Sequence, residues 1–214
     1  MLDSTLRPVK DAVLTPISRG PFAQVHPLAV SAAALGASLG AAVAAWQGAV
    51  ALSVLLWLAG RVLDGLDGAL ARATGRQSDL GGLLDFLFDT IGYAAIPLGL
   101  ALGAGSDTLW IATAVVLATF YLNAVSLGHV AAVLEKRALG AAASGESTTT
   151  TMPRGLVEGT ETIVFFSLAL ALPSLAWAVW SVMAVAVVVT VLERTGWIAR
   201  RLGREVPAGV EVAR

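Results

Sequence analysis

The sequence predicts an all-α integral membrane protein: six transmembrane helices preceded by an amphipathic surface helix. Three observations carry that prediction. Hydrophobic residues make up 57% of the 214-residue chain and charged residues only 14%, against about 25% charged in soluble domains, and mean hydropathy is +0.78. Apolar segments follow one another along the chain, each close to the roughly 20 residues a helix needs to cross a bilayer core. The basic residues collect on alternate connections between those segments.

Residues 1–26 read as a cytoplasmic arm. Leu2, Leu6, Val9, Val13 and Ile17 recur every three to four residues, with Arg7, Lys10 and Arg19 elsewhere. That pattern suits a helix lying on an anionic membrane surface, although Pro8 and Pro16 limit it. A frayed polar tail is the alternative. The arm has no apolar run of the kind a cleavable signal carries, so insertion is expected to use the first span itself.

The six-helix domain is expected over residues 27–193. Span one runs from about Pro27 to Ala45 and is built of small and aliphatic residues. Its GASLG segment, Gly36 to Gly40, has the small-xxx-small spacing that allows close helix contact. Span two starts near Ala49 and runs into Asp64 and Asp67. Span three covers about Gly81 to Ala104 and carries Asp85 and Asp89 in its first turns. Span four covers about Thr108 to Leu134, span five about Gly155 to Leu172, and span six about Leu175 to Leu192. Residues 194–214 read as a basic cytoplasmic tail. The segment from Gly140 to Thr151 is low in complexity and reads as a flexible loop.

Topology follows from charge. The fourteen Lys and Arg residues fall in the N-terminal arm, around the span two–three connection (Arg61, Arg72, Arg76), in the span four–five loop (Lys136, Arg137, Arg154) and in the tail. The opposite connections contain none. By the positive-inside rule both termini are cytoplasmic, and the aspartate stretch sits at the cytoplasmic end of spans two and three. Trp46, Trp110, Trp177 and Trp197 fall near the predicted interfaces, as an aromatic belt requires. The chain has no cysteine, which excludes disulfides, thiolate metal sites and thiol nucleophiles. Nothing in it points to nucleic acid.

Asp64, Asp67, Asp85 and Asp89 are the functional candidates. Carboxylates at the edge of a bilayer are costly and need a reason. Spacings of three and four put each pair on one helix face, and the short connection makes the two helices antiparallel neighbours. Four facing carboxylates repel unless protons or cations intervene. All-oxygen donors suit Mg²⁺ or Mn²⁺, and four carboxylates are enough for two ions that clamp the attacking and leaving oxygens of a phosphoryl transfer. Gly65, Gly68, Gly81 and Gly82 remove bulk beside the acids, and Arg72 is placed to pair with a phosphate.

The stretch from Asp64 to Asp89 resembles the signature of the CDP-alcohol phosphotransferase family, D-x2-D-G-x2-A-R, eight residues, then G-x3-D-x3-D. Asp64, Asp67, Gly68, Ala71, Arg72, Gly81, Asp85 and Asp89 fill it without departure. The resemblance implies a transferase of phospholipid biosynthesis. It would move a phosphatidyl group from CDP-diacylglycerol to an alcohol and release CMP. It also implies a metal site on Asp64, Asp67 and Asp85. Asp89 would stand at the second metal and act as general base. Asp64, Gly68, Ala71, Arg72 and Gly81 would surround the nucleotide. A homodimer with an N-terminal surface helix is implied as well, which favours the helical reading of residues 2–19.

Arg154, Glu158 and Glu161, at the start of span five, are the candidate acceptor residues, with Glu158 and Glu161 on one helix face; a structural ion pair is their alternative. A phosphorylated acceptor would want cations, for which Lys136, Arg137 and Arg154 are available. Asn123 and His129 read as buried interhelical hydrogen-bonders. Two rivals stand beside this reading: a CDP-linked polar alcohol donor with a lipid acceptor, and a divalent-cation transporter lined by the same acids.

Overall fold

A computed structural model describes residues 24–140 and 155–204. The expected surface helix, most of the Gly140–Thr151 loop, Arg154 and the end of the tail lie outside the described residues. Among those described, six α-helices appear in the expected order: α1 (Pro27–Trp46), α2 (Val50–Thr74), α3 (Asp79–Ala104), α4 (Asp107–Lys136), α5 (Gly159–Ala171) and α6 (Ala176–Arg204). A single 3₁₀ turn at Pro173–Leu175 joins the last two.

Local chemistry sets the ends. Pro27 occupies the first turn of α1, where a missing N–H costs nothing. Gly75 closes α2 in the left-handed conformation at φ 64°, which a residue without Cβ adopts freely. Ser78 then caps α3, its Oγ accepting from the Gly81 N–H at 3.1 Å. The aspartate-bearing helices are thus joined by a four-residue turn, Gly75 to Ser78.

α1, α3, α4 and the Pro173–Leu202 stretch are long and apolar enough to cross a membrane. α2 has the length, with 25 residues, but carries the charged site. α5 is shorter than the span read from sequence: 13 residues, rising about 20 Å. α6 is longer, continuing through Arg204 into the segment read as tail.

Packing departs from the expected arrangement in one respect. α2 and α3 meet through side chains rather than backbone, with Arg61 of α2 reaching Asp89 and Tyr93 of α3, while α1 packs extensively against both helices. Glycines on α2 and α3 make this possible. Added Cβ atoms at Gly60 and Gly92 would stand 3.2 and 3.3 Å from Ser38 Oγ, and one at Gly99 would collide with the Ala42 carbonyl. Within the GASLG segment itself, a Cβ at Gly36 would meet nothing within 4 Å. The segment's close contacts run through Ser38 and through Gly40, whose added Cβ would stand 3.2 Å from Leu56 Cδ1, and Ala42 continues them one turn on. α4 packs on α6, and α5 bridges α2 and α6. The core between these groups is aromatic. Phe166 of α5 stacks on Trp57 at 4.9 Å and meets Trp180 edge-on at 4.9 Å and Tyr93 at 5.4 Å. The two tryptophans in that core are fully buried, whereas Trp46, Trp110, Trp177 and Trp197 are exposed, as a belt facing lipid and headgroups requires.

Candidate metal centre

The facing predicted from sequence is present. One carboxylate oxygen from each of Asp64, Asp67 and Asp85 lies within 4.8 Å of the others. α2 supplies the first two from successive turns, and α3 the third from across the gap. Asp67 is the innermost, 5% exposed, and its Oδ2 has no hydrogen-bond partner. Asp85 stands at the open side. The unpaired Asp67 oxygen is expensive to bury, and three carboxylate oxygens at this spacing match the donor set and reach of a hard divalent cation. The residues fit such an ion.

Asp89 stands apart from this trio. It lies beside Asp64, but its Oδ1 accepts from Arg61 Nη1 at 2.6 Å. Arg61 was counted from sequence among the topology-setting charges. The structure buries its side chain to 7% exposure and gives it six contacts of note. Nη1 also donates to Tyr93 Oη at 3.2 Å and lies 3.7 Å from Asp64 Oδ2. Nη2 donates to Ser38 Oγ at 3.4 Å. The guanidinium lies 4.8 Å from the Trp57 ring centre and 5.2 Å from that of Tyr93, within cation–π range. The signal for it was present: an arginine three residues before Asp64 shares that aspartate's helix face.

The remaining signature positions surround the acids. The Arg72 guanidinium lies over Gly68, 3.4 Å from where a Cβ would stand. Gly81 is exposed in the first turns of α3. Glu158 and Glu161 do not share a face of a continuous helix, as the sequence reading had it. Glu158 is the extended N-cap of α5, and the two form a capping box, with the Glu158 N–H donating to Glu161 Oε2 at 3.2 Å. Gly155 N–H also donates to Glu158 Oε1, at 3.2 Å. Asn123 does bond between helices: its Oδ1 accepts from Arg194 Nη1 at 2.9 Å, which also donates to Ser126 Oγ at 2.7 Å. Arg194 is 4% exposed, drawn into the bundle from the segment read as tail. His129 is exposed, contrary to its reading as a buried hydrogen-bonder.

The family model for CDP-alcohol phosphatidyltransferase matches residues 25–192. The chain is 33% identical over 158 residues to the phosphatidylinositol phosphate synthase of Mycolicibacterium smegmatis, covering 70% of this chain and 64% of that protein. It is 50% identical over 52 residues to the archaetidylinositol phosphate synthase of Pyrococcus horikoshii, covering 24% of this chain and 28% of that one. The matched stretches thus span less than two thirds of these relatives' lengths. Among solved structures, the fold is similar to Mycobacterium tuberculosis phosphatidylinositol phosphate synthase (PgsA1) with CDP-DAG bound. The TM-score is 0.69 at 22% identity, covering 95% of this chain and 99% of that one. With the family model matched from the start of α1 into α6 and all eight signature positions filled, the chain belongs to the CDP-alcohol phosphatidyltransferase family.

Proposed function

We propose that the protein transfers a phosphatidyl group from CDP-diacylglycerol to an alcohol, releasing CMP. The convergence of Asp64, Asp67 and Asp85 within 4.8 Å carries this reading. A divalent cation there, Mg²⁺ or Mn²⁺, would neutralise the pyrophosphate and the departing phosphate. Manganese and citrate accompany PgsA1 in one of its structures. A second ion between Asp64 and Asp89 belongs to the same proposal.

The chain's own residues supply the rest. Asp89 accepts the proton of the acceptor hydroxyl as its oxygen bonds to the lipid-bearing phosphorus. The bond from that phosphorus to the CMP phosphate oxygen breaks, and the electron pair leaves with CMP. Asp64, Gly68, Ala71, Arg72 and Gly81 line the nucleotide, with Arg72 facing phosphate over the bare backbone of Gly68. The acceptor is a polyol phosphate, by analogy with relatives named for phosphatidylinositol phosphate synthesis. Arg154, Glu158 and Glu161 form its wall. The charge pattern supports an active site on the cytoplasmic face of the membrane, and a homodimer is part of the reading.

Cation transport is the poorer reading. Arg61 lies one turn deeper than Asp64, backed by Trp57, Tyr93 and Phe166, so a cation leaving the cluster inward meets a guanidinium and three rings.

The test is CMP release by purified protein given CDP-diacylglycerol, Mg²⁺ or Mn²⁺, and a panel of alcohols and polyol phosphates. Wild type turns over with at least one acceptor. Asp89→Asn loses about 100-fold or more in kcat while still binding Mn²⁺. Absence of CMP with every acceptor, together with Mn²⁺ flux in liposomes, would reverse the assignment.

A further inference from the structure

Arg61 forms ion pairs with Asp64 and Asp89, and its surroundings fix it more tightly than a neutralising role requires. The Trp57 and Tyr93 rings flank the guanidinium. Tyr93 Oη and Ser38 Oγ, from α3 and α1, set its rotation. The remaining strong contact is spent on one oxygen of Asp89. One oxygen of Asp89 is therefore tied to Arg61, which keeps the carboxylate beside Asp64 and from turning fully into the cluster of Asp64, Asp67 and Asp85.

We propose that Arg61 is a positioning residue for the transfer reaction: clamped by Trp57, Tyr93 and Ser38, it holds Asp89 at the edge of the three-carboxylate cluster, oriented toward the acceptor hydroxyl. The inference rests on the phosphatidyl-transfer reading. Asp64, Asp67 and Asp85 gather at one cation position, while Asp89, tied to Arg61, is held at the cluster's edge beside Asp64, where it can take the proton. Arginine suits this task where lysine does not, because only a planar fork stacks on rings while donating in three directions.

The experiment compares wild type, Arg61→Gln, Tyr93→Phe and the double variant, measuring kcat, KM for the CDP-lipid and Mn²⁺ binding. Arg61→Gln is expected to lower kcat about 100-fold, the scale of a misplaced catalytic group. KM should stay within about threefold, and Mn²⁺ should bind no more weakly than in wild type, since its three ligands remain. Tyr93→Phe, which loses only the hydroxyl that orients Arg61, is expected to lower kcat by about tenfold or less. The double variant should match Arg61→Gln, because the tyrosine acts through the arginine. Wild-type turnover in Arg61→Gln, weakened Mn²⁺ binding, or losses that multiply in the double variant would each overturn the proposal. Lack of turnover in wild type would instead strike at the phosphatidyl-transfer reading, and the Mn²⁺ titrations would still report on Arg61.

Discussion

Asp67→Asn should make the metal-free protein more stable and the metal-loaded protein less so. Asp64, Asp67 and Asp85 offer oxygens within 4.8 Å of one another. At that separation and an effective dielectric of about 20, each ionised pair repels by about 3.5 kcal/mol. The substitution removes two of the three pairs. Asp85 is exposed, so water screens its share, and the full relief is not realised. A net gain of about 1–2 kcal/mol in the apo protein is expected, or about 3–6 °C in melting temperature for a chain of this size. The same substitution removes a ligand. Wild type at one hundred times its Mn²⁺ dissociation constant gains about 2.7 kcal/mol, and the variant should gain almost none. The assay is thermal unfolding in detergent, with EDTA and across an Mn²⁺ series. The two proteins should therefore exchange rank as metal is added. An apo variant that melts well below wild type and still responds to Mn²⁺ would refute the reasoning, since the trio would then be neither frustrated nor the ion's seat.

Two further outcomes test the scaffold. Gly99→Val should destabilise by about 1–3 kcal/mol, because its Cβ collides with the backbone carbonyl of Ala42; Gly36→Ala, at a position open for 4 Å, should melt like wild type. Phe166→Ala should cost about 3–5 kcal/mol, because its fully buried ring joins Trp57, Tyr93 and Trp180; both are read as loss of melting temperature in detergent.

Helix order was legible because hydropathy and loop charge are local properties, and each apolar segment reports itself. The aspartates were legible for the same reason: four acids at helical spacing conflict with their apolar surroundings. Arg61 was not, because a basic residue near a helix end read as cytoplasmic already satisfies the topology rule, and its partners lie on α1 and α3. Glu158 and Glu161 misled the reading because their spacing of three fits a helix face and a capping box equally well. The missing fact was that Glu158 is extended. Arg194 was hidden by the loss of hydropathy after Leu192, although the helix continues to Arg204. The seating of α2 and α3 on α1 is a long-range packing result. Its traces in the sequence, Gly92, Gly99 and Gly103 at intervals of seven and four, are easily lost among 22 glycines.

That shared seat has a further consequence. The acids are encoded in one stretch, but the relative placement of their two helices depends on another, the α1 face at Ser38 and Ala42 on which both pack. A chain can keep the whole aspartate motif letter for letter and still hold its two halves at the wrong width, through one enlarged side chain some fifty residues upstream of Asp89. The motif names the chemistry, and the caliper that sets its working distance is inherited separately.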